Sequence, residues 1–253
     1  NHYKNDMIEI SDLGEKSFYD HVIPKKNKLN SYKSIIKLLI KIQKIKVKKL
    51  YKFEKFKIKI PKYTLSNLHK ESDLFFDWYL KYFLGNKKIN KITKILRSEL
   101  NKVYKKLNYK NNTFVHRDFH ISNVMISKNK LGIIDSQDAI IGNPLYDVSS
   151  VIDDVRIKLS NKLQKKLLDF YHKNSKLKND HIEKLKNDFD ILSVQRNLKI
   201  LGIFVRLYKR DNKDNYLKFL PYTWTLIEKR LQNPALKKLK LLFHKYLSIK
   251  KLK

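Results

Sequence analysis

Apolar residues recur at helical spacing along most of the chain. Residues 31–45 set Ile and Leu between lysines with that period and predict a helix. A second is expected over 64–84, with Leu68, Phe75, Phe76, Tyr79 and Phe83 on its buried side and Gly85-Asn86 as its stop. Ile89–Leu107 forms a third, with Ile92, Leu96, Leu100, Val103 and Leu107 in step. Asn143-Pro144 marks another helix start, running through Tyr146, Val148, Val151 and Ile152. Ser160 caps the next, which carries Leu163, Leu167 and Phe170. Residues 181–209 give one or two further helices, 211–215 a turn, and Tyr222–Leu231 and Leu236–Leu247 the last helices. Between them lie short apolar runs bounded by turn residues, which read as strands: Met7–Ile10, Thr113–Val115, Val124–Ile126 and Leu131–Ile134. Lys46–Lys62 is a basic, irregular connector. The pattern is α+β and mostly helical.

Composition narrows the class. The 253 residues are 42% apolar, enough for one large globular domain. Cysteine is absent, which excludes disulfide and thiol chemistry and suits a cytoplasmic protein. No apolar run approaches the roughly eighteen residues that span a bilayer. Net charge is +33, the sign of a nucleic-acid binder. Only seven of the 57 basic residues are arginine, however, and the lysines are spread over nearly every predicted helix. That distribution reads as compositional bias rather than a nucleic-acid footprint. Against such a background arginine marks places that need a planar, bidentate donor, and three of the seven fall within 196–210.

The three central strands flank the polar residues with most chemical content. Asp118 and Asn123 stand in the pattern His-Arg-Asp-x-x-x-x-Asn, and Asp135 ends the next strand. Phosphoryl transfer needs such a layout. One carboxylate orients a hydroxyl and takes its proton; an amide and a second carboxylate hold magnesium on nucleotide phosphates. A lone strand-end Asp can equally cap a turn, and an Asn after a turn means little by itself. The weight lies in the three occurring together.

His116-Arg117-Asp118 with Asn123 resembles the catalytic loop of kinase-fold enzymes. Asp135-Ser136-Gln137-Asp138, then Gly142-Asn143-Pro144-Leu145-Tyr146-Asp147, resembles the aminoglycoside phosphotransferase / choline kinase superfamily. The particular likeness is to bacterial sugar kinases of cell-wall recycling, which phosphorylate N-acetylmuramate and N-acetylglucosamine at the anomeric hydroxyl. Ile8–Gly14, Glu71–Tyr79 and Val194–Phe204 extend it over most of residues 6–222. The resemblance implies a protein kinase-like C-lobe over 15–233, preceded by the hinge in 1–14 and followed by a helical tail over 234–253. It implies ATP and Mg2+ as cofactors, Asp118 as catalytic base and Asn123 and Asp135 as metal ligands. His116, Arg117, Asp138 and Asp147 would support the loop, and Glu9, Ile10 and Ser11 would meet adenine. His120, Gln195, Arg196, Asn197 and Arg206 would belong to the acceptor pocket.

The sequence departs from that pattern at two points. Ser136 replaces the aromatic often found after the metal aspartate, and no Gly-rich phosphate loop can be written from five glycines. The chain does not begin with Met, and the strand lysine of such enzymes would precede residue 1. The expectation is therefore a hinge and C-lobe without most of an N-lobe, inactive alone. Two other acceptor classes, aminoglycosides and choline, stay open, as do a pseudokinase and a non-catalytic basic binding module. Asp153-Asp154 reads as a solvated helix face.

Overall fold

The computed structural model describes residues 11–48, 51–53, 56–84, 89–127 and 130–247. In chain order these form α1 (Phe18–Val22), α2 (Leu29–Gln43), β1 (Tyr51–Phe53), β2 (Phe56–Ile58) and α3 (Leu65–Leu74). A π-helical turn (Phe75–Leu80), α4 (Lys81–Leu84), α5 (Ile89–Tyr104) and β3 (Thr113–Val115) follow. Then come β4 (Val124–Ser127), β5 (Lys130–Ile133), β6 (Ile140–Gly142) and α6 (Leu145–Ile152). The chain continues through α7 (Asn161–Asn174), α8 (Ile182–Asp211), α9 (Leu220–Arg230) and α10 (Lys237–Tyr246). The mostly helical α+β class is as expected from the periodicity. The strand at Met7–Ile10 and the stop at Gly85-Asn86 lie outside the described residues.

Local chemistry explains the helix ends. Thr64 and Asn67 form a capping box, in which Thr64 Oγ1 accepts the Asn67 amide at 3.3 Å and Asn67 Oδ1 accepts the Thr64 amide at 2.8 Å. Ser160 Oγ accepts the Leu163 amide at 3.2 Å. Asn143 Oδ1 accepts the Leu145 amide at 2.9 Å, so Pro144 sits just ahead of α6 rather than inside it. Asn212 ends α8 in the left-handed region, φ 54°, where Asn is tolerated best after glycine.

Three two-stranded antiparallel pieces replace any large sheet among the described residues: β1 with β2, β3 with β6, and β4 with β5. Three of these strands correct the sequence reading. The basic connector 46–62 contains the β1–β2 pair, and β6, which periodicity does not reveal, is the partner of β3. Pairing Val115 with Ile140 brings the chain leaving β3 close to the segment after β5. The β4–β5 ladder opposes Val124 to Ile133, so residues 123 and 134 meet at its open end.

α8 is the axis of the helical body. It is one 30-residue helix, roughly 45 Å long at the usual rise. Every residue from 191 to 198 is buried, against α3, α6, the π turn and α9. A helix apolar all round would be plain core; this one carries Ser193, Gln195, Arg196 and Asn197 in its buried stretch. Phe75, Tyr79, Trp224 and Phe243 form an aromatic cluster beside it, with Trp224 Nε1 donating to Tyr79 Oη at 2.6 Å. Phe243 and Leu247 bring the C-terminal tail into the same core.

α8 crosses α3 at Gly202, where a Cβ would lie 2.3 Å from the Leu74 carbonyl carbon and oxygen and 2.7 Å from the Phe75 amide nitrogen. Backbone cannot swing aside as a side-chain end can. Gly202→Ala should therefore destabilise the fold by about 1–3 kcal/mol, although alanine favours a free helix by roughly 1 kcal/mol. Urea unfolding checks this: the midpoint falls at unchanged slope. An unchanged or higher midpoint would mean that the helices do not touch at this residue.

Candidate functional site

The loop between β3 and β4 is fastened by buried acids from distant elements. Asp147, in the first turn of α6 and fully buried, accepts the His116 amide at 2.7 Å and the Arg117 amide at 3.1 Å. Asp154, just after α6, accepts the Ile121 amide at 3.2 Å. Asp153 and Asp154 are each 1% exposed, so the expected solvated face is an interior one. Asp153 instead holds Arg230 at 2.7 Å and Ser193 Oγ at 2.5 Å. Burial pushes the Asp147 carboxyl up to about 7, against the two amide bonds that favour its ionised form. A proton on either oxygen would cost one of those bonds.

Glu71, on the inner face of α3, is the strongest fastening. Its Oε2 accepts Tyr63 Oη at 2.6 Å, Tyr146 Oη at 2.8 Å and Gln195 Nε2 at 2.9 Å. Its Oε1 accepts Arg117 Nη2 at 2.6 Å and Nε at 3.1 Å, with Lys199 Nζ at 3.5 Å. Burial alone would raise this carboxyl; Lys199, Arg117 and the hydrogen bonds from Tyr63 and Gln195 overturn that and hold it down at about 2. Arg117 needs such a grip, because its φ of 73° is a conformation that costs a non-glycine residue about 1–3 kcal/mol.

Asp118 and the metal-type residues meet at the end of the β4–β5 ladder. Asn123 Nδ2 donates to the Asp118 carbonyl at 3.0 Å and to Asp135 Oδ2 at 3.4 Å. That commits the amide nitrogen and leaves Oδ1 as the ligand-capable atom. Asp135 is exposed, has φ 68°, and takes Gln137 Nε2 on Oδ1 at 2.7 Å. Behind it, His116 Nε2 donates to the Ile134 carbonyl at 3.1 Å and Arg117 Nη1 to the Asp138 carbonyl at 3.4 Å. Neither Asp118 nor Asp135 has a Lys or Arg partner among the described residues. Among those residues no cluster of three His, Cys, Asp or Glu is placed to hold a metal. The arrangement fits a hard cation that takes an amide oxygen and one carboxylate from protein.

A cavity of about 150 Å3 opens beside Asp118. His120, Arg156, Arg196 and Lys199 line it, and Ile200, Ile203 and Phe204 form an apolar side. Burial, then Arg156, pushes the His120 imidazole down to about 4, so the ring is neutral at neutral pH. A larger cavity of about 360 Å3 lies among Gln43, Tyr109, Tyr171 and Asp180, and none of the motif carboxylates lines it.

The structure sorts the remaining sequence candidates. His120 and Arg196 line the cavity, whereas Gln195 serves Glu71 and Asn197 donates to Ser193 Oγ at 3.2 Å. Arg206 is not among the lining residues. Asp138 is exposed and contributes its carbonyl. Ser11 is exposed; Glu9 and Ile10 lie outside the described residues. Glu71, Asp154, Arg156 and Lys199 escaped the sequence reading. Glu71 carried a legible signal, an acid in step with Leu68 and Phe75 on the apolar stripe of α3. Arg156 carried one too, as a rare arginine.

The family model described as phosphotransferase enzyme family matches residues 10–185. A protein of Pseudomonas aeruginosa named N-acetylmuramate/N-acetylglucosamine kinase is 28% identical over 235 residues, 90% of this chain and 67% of that protein. One of the same name from Neisseria meningitidis serogroup B is 29% identical over 166 residues, 64% of this chain and 50% of that protein. The crystal structure of a choline/ethanolamine kinase family protein from Mesorhizobium loti superposes with a TM-score of 0.55 at 11% identity, over 85% of this chain and 66% of that one. At that identity the likeness is one of fold. The chain thus spans about half to two thirds of the length of these relatives.

Glu71→Gln keeps the shape but removes the charge that Arg117 and Lys199 face. The expected loss is roughly 3–5 kcal/mol at pH 7, since an uncompensated buried cation remains. The folded carboxyl titrates near 2, below its ordinary 4.5, so its contribution is complete above pH 4.5 and disappears as pH falls through 2. Urea midpoints of the two proteins should differ widely at pH 7 and converge toward pH 2. A gap independent of pH would show that the charge is not what stabilises.

Proposed function

The chain belongs to the phosphotransferase enzyme family, and from that premise we propose that it transfers the γ-phosphoryl group of ATP to a hydroxyl of an amino sugar of the N-acetylmuramate or N-acetylglucosamine type. The observation that carries this reading is the Asn123 amide, which joins the Asp118 backbone to the Asp135 carboxylate beside a cavity that Asp118 lines. The names of the relatives supply the acceptor class.

In this reading the acceptor hydroxyl lies against the Asp118 carboxylate. Its oxygen bonds to the γ-phosphorus, the bond from that phosphorus to the β,γ-bridging oxygen breaks, ADP leaves, and the hydroxyl proton passes late to Asp118. Asn123 Oδ1 and Asp135 are the groups that would hold magnesium, which when bound supplies positive charge against the nucleotide phosphates. Asp147, Glu71 and Asp154 act earlier, by fixing the backbone on both sides of Asp118. Catalysis of this kind is mostly positioning, so these buried acids matter as much as the base.

The wall charges support the choice of acceptor. Arg156, Arg196 and Lys199 line the cavity with Asp118; Asp154 pairs with Arg156 and Glu71 with Lys199, which leaves Arg196 as the cation of that lining without a carboxylate partner among the described residues. Aminoglycosides and choline are cations and would meet that wall unfavourably. A neutral or acidic sugar would not.

Asp118→Asn is the decisive variant. The hydrogen bonds of Asp118 among the described residues run through its backbone carbonyl, so the fold should survive. Turnover of N-acetylmuramate or N-acetylglucosamine with ATP should fall by roughly 10²-fold or more, with little change in ATP binding or melting temperature. Near-normal turnover would remove Asp118 from the mechanism, and wild-type protein that phosphorylates an aminoglycoside or choline but neither sugar would remove the acceptor assignment.

A further inference from the structure

Four polar side chains lie in the buried stretch of α8, and three have partners inside the protein. Ser193 donates to Asp153, Gln195 to Glu71 and Asn197 to Ser193. Arg196 is the exception. It is 5% exposed, and its Nη1 has no acceptor. Buried guanidinium groups are ordinarily paired, because an unmet charged donor is among the costliest things to bury.

The acids around Arg196 do not meet this need. Asp147 and Asp154 feel its charge, and Tyr146 does so as well. Yet Asp147 is committed to the His116 and Arg117 amides, and Asp154 to the Ile121 amide and to Arg156. These acids act on Arg196 through space without supplying an acceptor. Arg156 and Lys199, the other cations of the cavity wall, each have a carboxylate partner, at 3.2 Å and 3.5 Å.

A second side chain that lines the same cavity also carries an unmet donor. Arg156 Nη2 lies 3.4 Å from His120 Nε2, and a guanidinium can only donate, so Nε2 is the acceptor and the ring proton sits on Nδ1. His120 Nδ1 is buried and without a partner. The cavity that reaches Asp118 is thus walled by two side chains with donors to spare, one of them a full positive charge. An ionised carboxylate has two acceptor oxygens and one negative charge. At about 150 Å3 the space is small for a whole sugar, since complete ligand sites run to roughly 300–1,000 Å3, and is suited to a short acidic arm.

We propose that Arg196, assisted by His120, is the residue by which this protein recognises a carboxylate on its acceptor, and so favours an acidic sugar over its uncharged counterpart. The proposal rests on the sugar-kinase reading for the identity of the acceptor, but it concerns binding and can be tested apart from turnover. N-acetylmuramate carries a lactyl carboxylate that N-acetylglucosamine lacks, and its methyl ester keeps the arm without the charge.

Calorimetric binding to the wild-type protein should favour N-acetylmuramate over its methyl ester by at least about tenfold, as expected of a hydrogen bond to a charged group. In Arg196→Met that preference should collapse to within about threefold, and Arg196→Lys should keep part of it because the charge remains. The ratio of kcat/KM for N-acetylmuramate to that for N-acetylglucosamine should fall at least about tenfold in Arg196→Met, a split that a merely structural arginine would not produce. Equal wild-type affinity for acid and ester overturns the proposal without any variant. So does an equal loss toward both sugars in the variants. Acid-selective binding with phosphorylation of an aminoglycoside or choline but of neither sugar would instead leave the subsite standing and remove the sugar-kinase reading.

Discussion

A single buried anion, Glu71, joins the parts of this molecule that come from furthest apart in sequence. It accepts from Tyr63 before α3, Arg117 in the β3–β4 loop, Tyr146 in α6, and Gln195 and Lys199 in α8. Isolated, such a carboxylate would be driven to neutrality by burial. Here two cations and three neutral donors surround it, and the balance tips to a carboxyl held near 2. Buried ion pairs are weak evidence of stability as such, because desolvation consumes much of the attraction. Their use here is geometric. The cluster fixes Arg117, the neighbour of Asp118, to the helical body.

The same logic repeats around the loop. Asp147 takes two successive amides and Asp154 a third, so the backbone from His116 to Ile121 is held mainly by acceptors outside the loop. That anchoring lets Arg117 and Asp135 stay at positive φ. In both cases the unusual backbone adjoins a group that the proposed chemistry uses, which is where strained conformations tend to collect. His116 ties the two together through the Ile134 carbonyl, one residue before Asp135.

Charge is distributed unevenly between surface and interior. Lysine dominates the basic residues, but the ion pairs of the interior use mainly arginine, Arg117 with Glu71, Arg156 with Asp154 and Arg230 with Asp153, beside the lysine pair Lys199 with Glu71. A planar fork satisfies two oxygens at once and is more weakly hydrated than an ammonium, so it is the cation that burial tolerates best. Arg196 belongs to this interior group in exposure but not in pairing, and that difference sets it apart.

The sequence alone carried the features that are contiguous in the chain. Helical periodicity located α2, α5 and α7 within a few residues, and the helix expected over 64–84 runs as α3, a π-helical turn and α4. The spacing of Asp118, Asn123 and Asp135 located the loop, because a strand, a tight loop and a hairpin leave those residues little freedom to separate. Periodicity failed for β1, β2 and β6, strands of three residues whose existence depends on a partner rather than on their own pattern. Tertiary structure alone decided that Asp153 and Asp154 are buried. Asp153 and Asp154 look in sequence like any solvated pair, and only Arg230 and Arg156 brought in by the fold make burial tolerable. It also decided the division of labour on α8. Gln195 and Arg196 are adjacent in sequence but about 100° apart around a helix. In a helix surrounded on all sides no polar face remains to be read from the pattern, and what each direction meets, Glu71 for one and the cavity for the other, is set by whichever element the fold packs there.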